Sequence, residues 1–273
     1  MGETKDLAPY KDVNSNGIYE PSKGDYPLII GDQMMYIILN DVNHRCLYED
    51  YFLGIEIHIA VFAFSDTTNN LDQNLYMNCY IKNRSENNYP KFKMGFWSDF
   101  NLGNPSDDFV GCDSASNMYY VYNGDSIDDV SGSVAPGFGE NPPMLGVKFL
   151  SDALDVFKYY DFGPGINQDP ITIEHFNHYL YGLNKAGEPV LANGVASKYS
   201  YNGNPYTQEG WTESKAGNEP NDRRGMGSFP EISLAAGETK AYTWVLGFSY
   251  PDGKPNTQVY ALVSPAAKLR RIL

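Results

Sequence analysis

The chain has little positive charge. Against 34 Asp and Glu it carries only 20 Lys and Arg, a formal net charge of −14 over 273 residues. That balance argues against nucleic acid, whose phosphates are held by clustered Lys and Arg, and against anionic membrane surfaces. Cations and neutral glycans are the compatible partners. Long apolar runs are also missing: none approaches the roughly 20 residues that a membrane-crossing helix needs. Cysteine is scarce, and Cys46, Cys79 and Cys112 have no C-x-x-C spacing, which argues against a zinc or redox motif. Their odd number allows at most one internal bridge and does not identify the compartment. The start, Met1-Gly2-Glu3-Thr4, has neither the basic region nor the apolar core of a signal peptide. If the protein is exported, a leader and further domains are expected beyond the sequence. Catalytic signatures are lacking too, with no G-x-S-x-G elbow, phosphate-cradling glycine loop or dinucleotide fingerprint.

Tyrosine (22), phenylalanine (14), glycine (26) and proline (17) are abundant. Aromatic-rich, turn-rich composition favours short strands joined by many loops. The clearest alternation runs from Leu53 to Phe64, with Ile55, Ile57, Ile59 and Val61 on one face and Glu56, His58 and Ala60 on the other. Further strands are expected within Pro27–Leu39 (interrupted at Gly31-Asp32), Leu75–Lys82, Phe92–Trp97, Met118–Tyr122, Val147–Leu150 and Val156–Tyr160. The three strands between Leu53 and Trp97 suggest an antiparallel meander. Phe229–Leu234 and Lys240–Phe248 are expected to form a last hairpin. The segments from Ser98 to Asn141 and from Leu183 to Gly227 read mostly as loop. One internal helix is expected over Ile171–Leu183, opened by Asp169-Pro170, and a weak helical tail over 256–273. The expected architecture is a single all-β domain over 1–273, an antiparallel β-sandwich of jelly-roll or Ig-like type. Its long loops need something to hold them.

Bound calcium is the natural candidate. In Asp12-Val13-Asn14-Ser15-Asn16-Gly17-Ile18 oxygen-bearing side chains alternate and a glycine follows. A hard cation takes several oxygens at once, and glycine lets the backbone bend sharply around it. Asp12, Asn14 and Asn16 would supply side-chain oxygens and Ile18 a backbone carbonyl. The usual twelfth-position acid is replaced by Lys23, so Asp25 is expected to close the shell, with Glu20 as second choice. An Asx-rich turn without an ion is the plainer alternative. A second acidic segment carries Asp99, Asn101, Asp107, Asp108 and Asp113. Its adjacent carboxylates at 107 and 108 repel unless a cation or a donor network neutralises them. Glu174, His175 and His178 lack the spacing of a zinc protease, and His58 reads as structural.

Trp211, Glu213, Asp222, Arg223 and Arg224 share one long stretch and are expected to form an aromatic and ion-pair clasp. Arg223 could instead grip a carboxylate ligand. The tyrosines at 119, 120, 122, 201 and 206 could stack on sugar rings, most of them serving simply to cover loops. The residues placed at a ligand site are Tyr122, Tyr206, Trp211 and Arg223.

The order of blocks resembles a conserved region of large secreted proteins of Bacteroidetes exported by the type IX secretion system. The matching pieces include PYKDVNSNGIYEPSKGDYPLIIGDQ, LGIEIHIAVFAF, GFWSDFNLGNPSDDFVGCDSASNMYYVYNGD, ENPPMLGVKF and GNPYTQEGWTESKAGNEPNDRRGMGSFPEISLAAGETK. The resemblance implies export, an extracellular or outer-cell-surface location, and membership of a longer polypeptide. It also implies ion ligands at Asp12, Asn14, Asn16 and Asp25, and at Asp99, Asn101, Asp107, Asp108 and Asp113. Asn101 stands where such proteins often carry aspartate, which lowers the charge there. The expected function is a non-catalytic calcium-binding module for adhesion or glycan binding. A polysaccharide-active hydrolase or lyase using loop carboxylates, and an architectural spacer, are the alternatives.

Overall fold

The computed structural model describes residues 7–41, 52–68, 71–131 and 135–249. The expected tail helix over 256–273, with His44 and Cys46, lies outside them. The chain is mostly β, with 44% strand against 7% helix. A two-residue ladder, β1 (Tyr10–Lys11) with β2 (Tyr26–Pro27), closes the first acidic loop at its base. β3 (Gln33–Asn40), β4 (Ile55–Ala63) and β5 (Asn74–Asn83) follow as an antiparallel meander. Next come β6 (Tyr89–Phe92), β7 (Gly95–Phe100), β8 (Asp108–Asp113) and β9 (Met118–Asn123). After a short β10 (Ile127–Asp128) and β11 (Gly139–Glu140) come β12 (Met144–Phe149) and β13 (Val156–Asp161). The helix α1 (Ile173–Leu180) precedes β14 (Val190–Ala192) and β15 (Val195–Ser197). β16 (Arg223–Ser228), β17 (Ile232–Leu234) and β18 (Thr239–Ser249) complete the described order.

Seven strands form one open antiparallel sheet in the order β3-β4-β5-β18-β12-β9-β8, and β13-β16-β7 form a second, also antiparallel. One aromatic core joins them. Phe96 of β7 meets Trp244 of β18 at 5.2 Å between centroids, and Phe157 of β13 stacks on Tyr119 of β9 at 4.7 Å. Two glycines of β16 make that contact possible. A Cβ at Gly227 would lie 2.3 Å from the Tyr119 ring, and one at Gly225 2.9 Å from Phe157. Glycine in a strand interior is usually a loss, and here it marks where a ring lies flat against a backbone.

Several expectations are corrected. The strand read at Phe92–Trp97 is two, β6 and β7, and β7 joins the smaller sheet rather than continuing the meander. Six strands, β8, β10, β11, β14, β15 and β16, occupy stretches read as loop. β17 and β18 do not pair with each other: β17 pairs with β6, while both edges of β18 are taken, by β5 and β12. The helix is opened by Thr172, whose hydroxyl accepts the His175 amide at 3.2 Å, and not at Asp169-Pro170. β4 is covered on both faces. Ile57, Ile59 and Val61 pack on the shared core, while Ala60 and Phe62 join Leu71, Tyr76 and Val245 in a second cluster.

Replacing Gly227 by Ala should push a methyl into Tyr119 and cost about 1–3 kcal/mol, as overpacking does. A lower denaturant midpoint at unchanged m-value is the expected result; a midpoint equal to that of the parent contradicts the packing described.

Candidate functional site

The first acidic loop is wound by its own side chains. Asp12 accepts the Ser15 amide at 2.6 Å through Oδ1 and the Gly17 amide at 2.7 Å through Oδ2. Asn14 Oδ1 accepts from the Asn16 amide at 3.1 Å, and Asn16 Oδ1 from the Ile18 amide at 2.8 Å. These are Asx turns in series, and the reversal needs Gly17 at φ +76°. Asp25 is 5% exposed and ties the two arms together, accepting Val13 N–H at 2.9 Å and Glu20 N–H at 2.8 Å. Glu20 accepts from Asn16 Nδ2 at 2.6 Å and pairs with Lys23 at 2.7 Å. The Gly17 amide, helped by its neighbours, holds the Asp12 carboxyl below the usual carboxylate range. Asp12, Asn14, Asn16, Glu20 and Asp25 thus share one small loop with the Ile18 backbone.

The donor set is all oxygen, with no imidazole or thiolate, and suits calcium rather than a transition metal. Carboxylates alone do not make the shell. Among the described residues no three His, Cys, Asp or Glu side chains converge as a metal-holding group, so the Asn amides and a carbonyl would have to contribute.

Beside this loop lies a cavity of about 540 Å³ lined by Leu7 to Tyr10, Gly17, Tyr36, His58 and Lys82. Its floor is the outer face of β3, β4 and β5. There His58, 1% exposed, lies 2.9 Å from the Tyr36 hydroxyl through Nδ1 and 2.7 Å from Glu56 through Nε2. Arg84 reaches the same Glu56 oxygen at 2.7 Å. An ionised carboxylate can only accept, so Nε2 donates to Glu56, and in the neutral ring Nδ1 accepts from Tyr36. His58, structural in the sequence pattern, is thus held in a hydrogen-bonded chain with Tyr36 and Glu56. The available signal was that Glu56 and His58 share a face of β4, with Lys82 opposite Glu56 in register.

The second acidic segment is not one loop. Asp99 lies on β7 beside Arg224 (3.4 Å), which also pairs with Asp222 at 3.2 Å. Asn101 is exposed just past β7. Asp107 ends the short turn before β8 and Asp108 opens the strand, whereas Asp113 ends it and caps the next turn, accepting Ser116 Oγ at 2.6 Å. A six-residue strand spans roughly 17 Å between its ends, so Asp108 and Asp113 cannot hold the same ion. Two of the four ligand candidates have no surface to offer. Tyr122 is 7% exposed and packs with Phe109 and Tyr120, because its side chain lies on the covered outer face of β9. Arg223 is 2% exposed and fully engaged. Trp211 is half-buried against Tyr201, while Tyr206 stays exposed. Of the other tyrosines, Tyr119, Tyr120 and Tyr201 are buried. On α1, His175 and His178 engage the Ile171 amide and the Lys185 carbonyl.

Arg223 fixes the long loop between β15 and β16. Its Nε donates to Glu213 at 2.9 Å, Nη1 to Asp161 at 2.7 Å and Nη2 to the Glu219 carbonyl at 2.6 Å. Glu213, fully buried, in turn accepts the Val110 amide of the edge strand β8 at 2.7 Å. Tyr201 and Asn221 add backbone bonds to Cys112 and Asp108 of the same strand. The loop therefore covers an edge that would otherwise be open to pairing.

Compared with models of known protein families and with curated proteins, the chain gives no match. No helix among the described residues is long and apolar enough to cross a membrane.

Arg223→Ala should leave Glu213 buried without its cation and cost about 3–5 kcal/mol, read as a large fall in melting temperature. Burial pushes the Glu213 carboxyl up to about 7, against the opposing pull of Arg223. The fold then binds this proton more tightly than the unfolded chain does, so the stability linked to this group declines as pH rises from about 4.5 to 7. Glu213→Gln should make the slope of stability with pH shallower in that window; an unchanged slope contradicts the assignment.

Proposed function

We propose that the chain is a calcium-stabilised, non-catalytic binding module of an exported bacterial surface or secreted protein, built as an antiparallel β-sandwich. The observation that carries the reading is the Asp12–Asp25 loop, an all-oxygen turn whose Gly17 also forms part of the wall of the neighbouring cavity. An ion bound there would order the loop, and the ordered loop would shape a recess for a ligand. Adhesion or glycan binding suits the recess, since Tyr10, Tyr36 and Lys82 offer an aromatic and polar lining. A spacer has no need of such a recess. The extracellular or outer-surface location, the wider type IX-exported polypeptide and the ion ligands rest on the resemblance set out above.

A second reading has one observation of its own. The Tyr36–His58–Glu56 chain places a hydroxyl proton toward an imidazole backed by a carboxylate, an arrangement that general-base chemistry uses. It favours a polysaccharide lyase or hydrolase over the loop-carboxylate version of that idea.

An ion held at about 100 times its Kd stabilises a fold by about 2.7 kcal/mol, or about 5–10 °C at this chain length. Chelator should therefore lower the melting temperature by that order, and Asp12→Ala should reproduce most of the loss without chelator. An unchanged melt, or a variant that melts like its parent and still responds to chelator, overturns the first loop as the site. A glycan array run with and without calcium separates the two readings: calcium-dependent retention of intact sugars supports the binding module, whereas cleaved products support the enzyme.

A further inference from the structure

Three acceptor oxygens at the start of β8 and the end of β9 are buried and have no partner among the described residues: Asp107 Oδ1, Asp108 Oδ1 and Asn123 Oδ1. Asp107 and Asp108 are consecutive, and Asp108 is the register partner of Asn123 across the ladder. Both lie on the strand face that carries Val110 and Cys112 of β8 and Tyr119 and Val121 of β9 into the core. Directly opposed side chains in an antiparallel pair have Cβ atoms about 5 Å apart. Asp108 is completely buried and Asn123 is 4% exposed.

The remaining bonds of each side chain fix these orientations. Asp107 Oδ2 accepts the Asp129 amide at 2.9 Å, and Asp108 Oδ2 accepts the Leu102 amide at 3.2 Å. Asn123 Nδ2 is turned toward Asp125, 3.4 Å from its carbonyl and 3.3 Å from its carboxylate. Flipping the amide would set its oxygen against those two acceptors, so the oxygen points inward for a reason. Asp128, also completely buried, lies close by, with its oxygens on the Asn104 and Phe138 amides at 3.0 and 2.8 Å. None of the Lys and Arg ion pairs among the described residues involves Asp107, Asp108 or Asp128. Buried carboxylates without a cation are among the costliest arrangements a fold can hold.

We propose that Asp107, Asp108 and Asn123 hold a buried calcium ion, separate from the Asp12–Asp25 loop. One water has two hydrogens and cannot satisfy three acceptors, and a proton on Asp108 would make it a donor to one neighbour and leave the third oxygen unmet. A divalent ion meets all three and balances two carboxylates. The donors are again all oxygen, which selects calcium over zinc or copper. Backbone carbonyls or water would complete the six to eight oxygens that calcium takes. An ion there would pin the β8–β9 hairpin to the turn at Leu102, and with it the edge that the Glu213 loop covers. Buried on this side, it would exchange only when the fold opens.

The test is calcium content by elemental analysis after dialysis of the folded protein against chelator, and again after unfolding in guanidinium. Asp12→Ala should keep about one ion per chain that resists native dialysis and is released on unfolding, as expected when metal binding is coupled to folding. Asn123→Leu should lose that ion. If Asn123→Leu is too unstable to purify, the count in Asp12→Ala decides alone. No retained calcium in Asp12→Ala, or undiminished retention in folded Asn123→Leu, overturns the proposal. The first loop is judged separately, by the ion that native dialysis removes from the parent and that Asp12→Ala should lack.

Discussion

Every carboxylate that this fold buries has to be neutralised or hydrogen-bonded in place, and the chain is short of cations to do it. Asp25, Glu56, Asp108, Asp128 and Glu213 are all 5% exposed or less. Arg223 serves Glu213 and also Asp161, and Arg84 with His58 serves Glu56. Backbone amides serve Asp25 and Asp128. Among the described residues Asp108 has a single amide, and the proposed second ion rests on that imbalance. Buried ion pairs are poor sources of net stability, yet removing one partner is severe. The Arg223 fork is therefore better regarded as a latch than as a glue. It sets where the long loop must lie, and the loop then shields β8.

The same constraint organises the other edge of the molecule. At the opposite end of the larger sheet, β3 and β4 carry Tyr36, Glu56 and His58 on their outer face, beneath the N-terminal segment. A polar floor of this kind is stable only while its members satisfy one another. The acidic loop stands at the rim of that recess. Ordering the loop and shaping the recess are consequently one event in the proposed function, which explains why a binding module would place its ion there.

Much of the strand content was legible, and the reasons for the misses are specific. Alternation located β4 and β5 because their faces differ in hydrophobicity. It did not reveal that β4 is covered on both sides, since Glu56 and His58 look like solvent-facing residues until Arg84 and Tyr36 are brought to them by pairing. β16 was hidden by Gly225 and Gly227, which read as loop but serve to admit the Tyr119 ring. β8 was hidden by its acidic ends, which resemble turn chemistry. The hairpin expected from β17 and β18 followed sequence adjacency, whereas the long β18 satisfies both of its edges with more distant strands. At the candidate site, the spacing of Asp12, Asn14, Asn16 and Gly17 was visible because the loop is local. Asn123 was not, because only the β8–β9 register sets it opposite Asp108.

Diffraction from crystals grown in millimolar calcium, recorded at a wavelength where calcium scatters anomalously, would examine the central claim most directly. The account predicts an anomalous peak within the Asp12–Asp25 loop, ringed by oxygens at about 2.3–2.6 Å in a six- to eight-fold shell. Density that refines only as water, or a Lys or Arg nitrogen occupying that position, would contradict it.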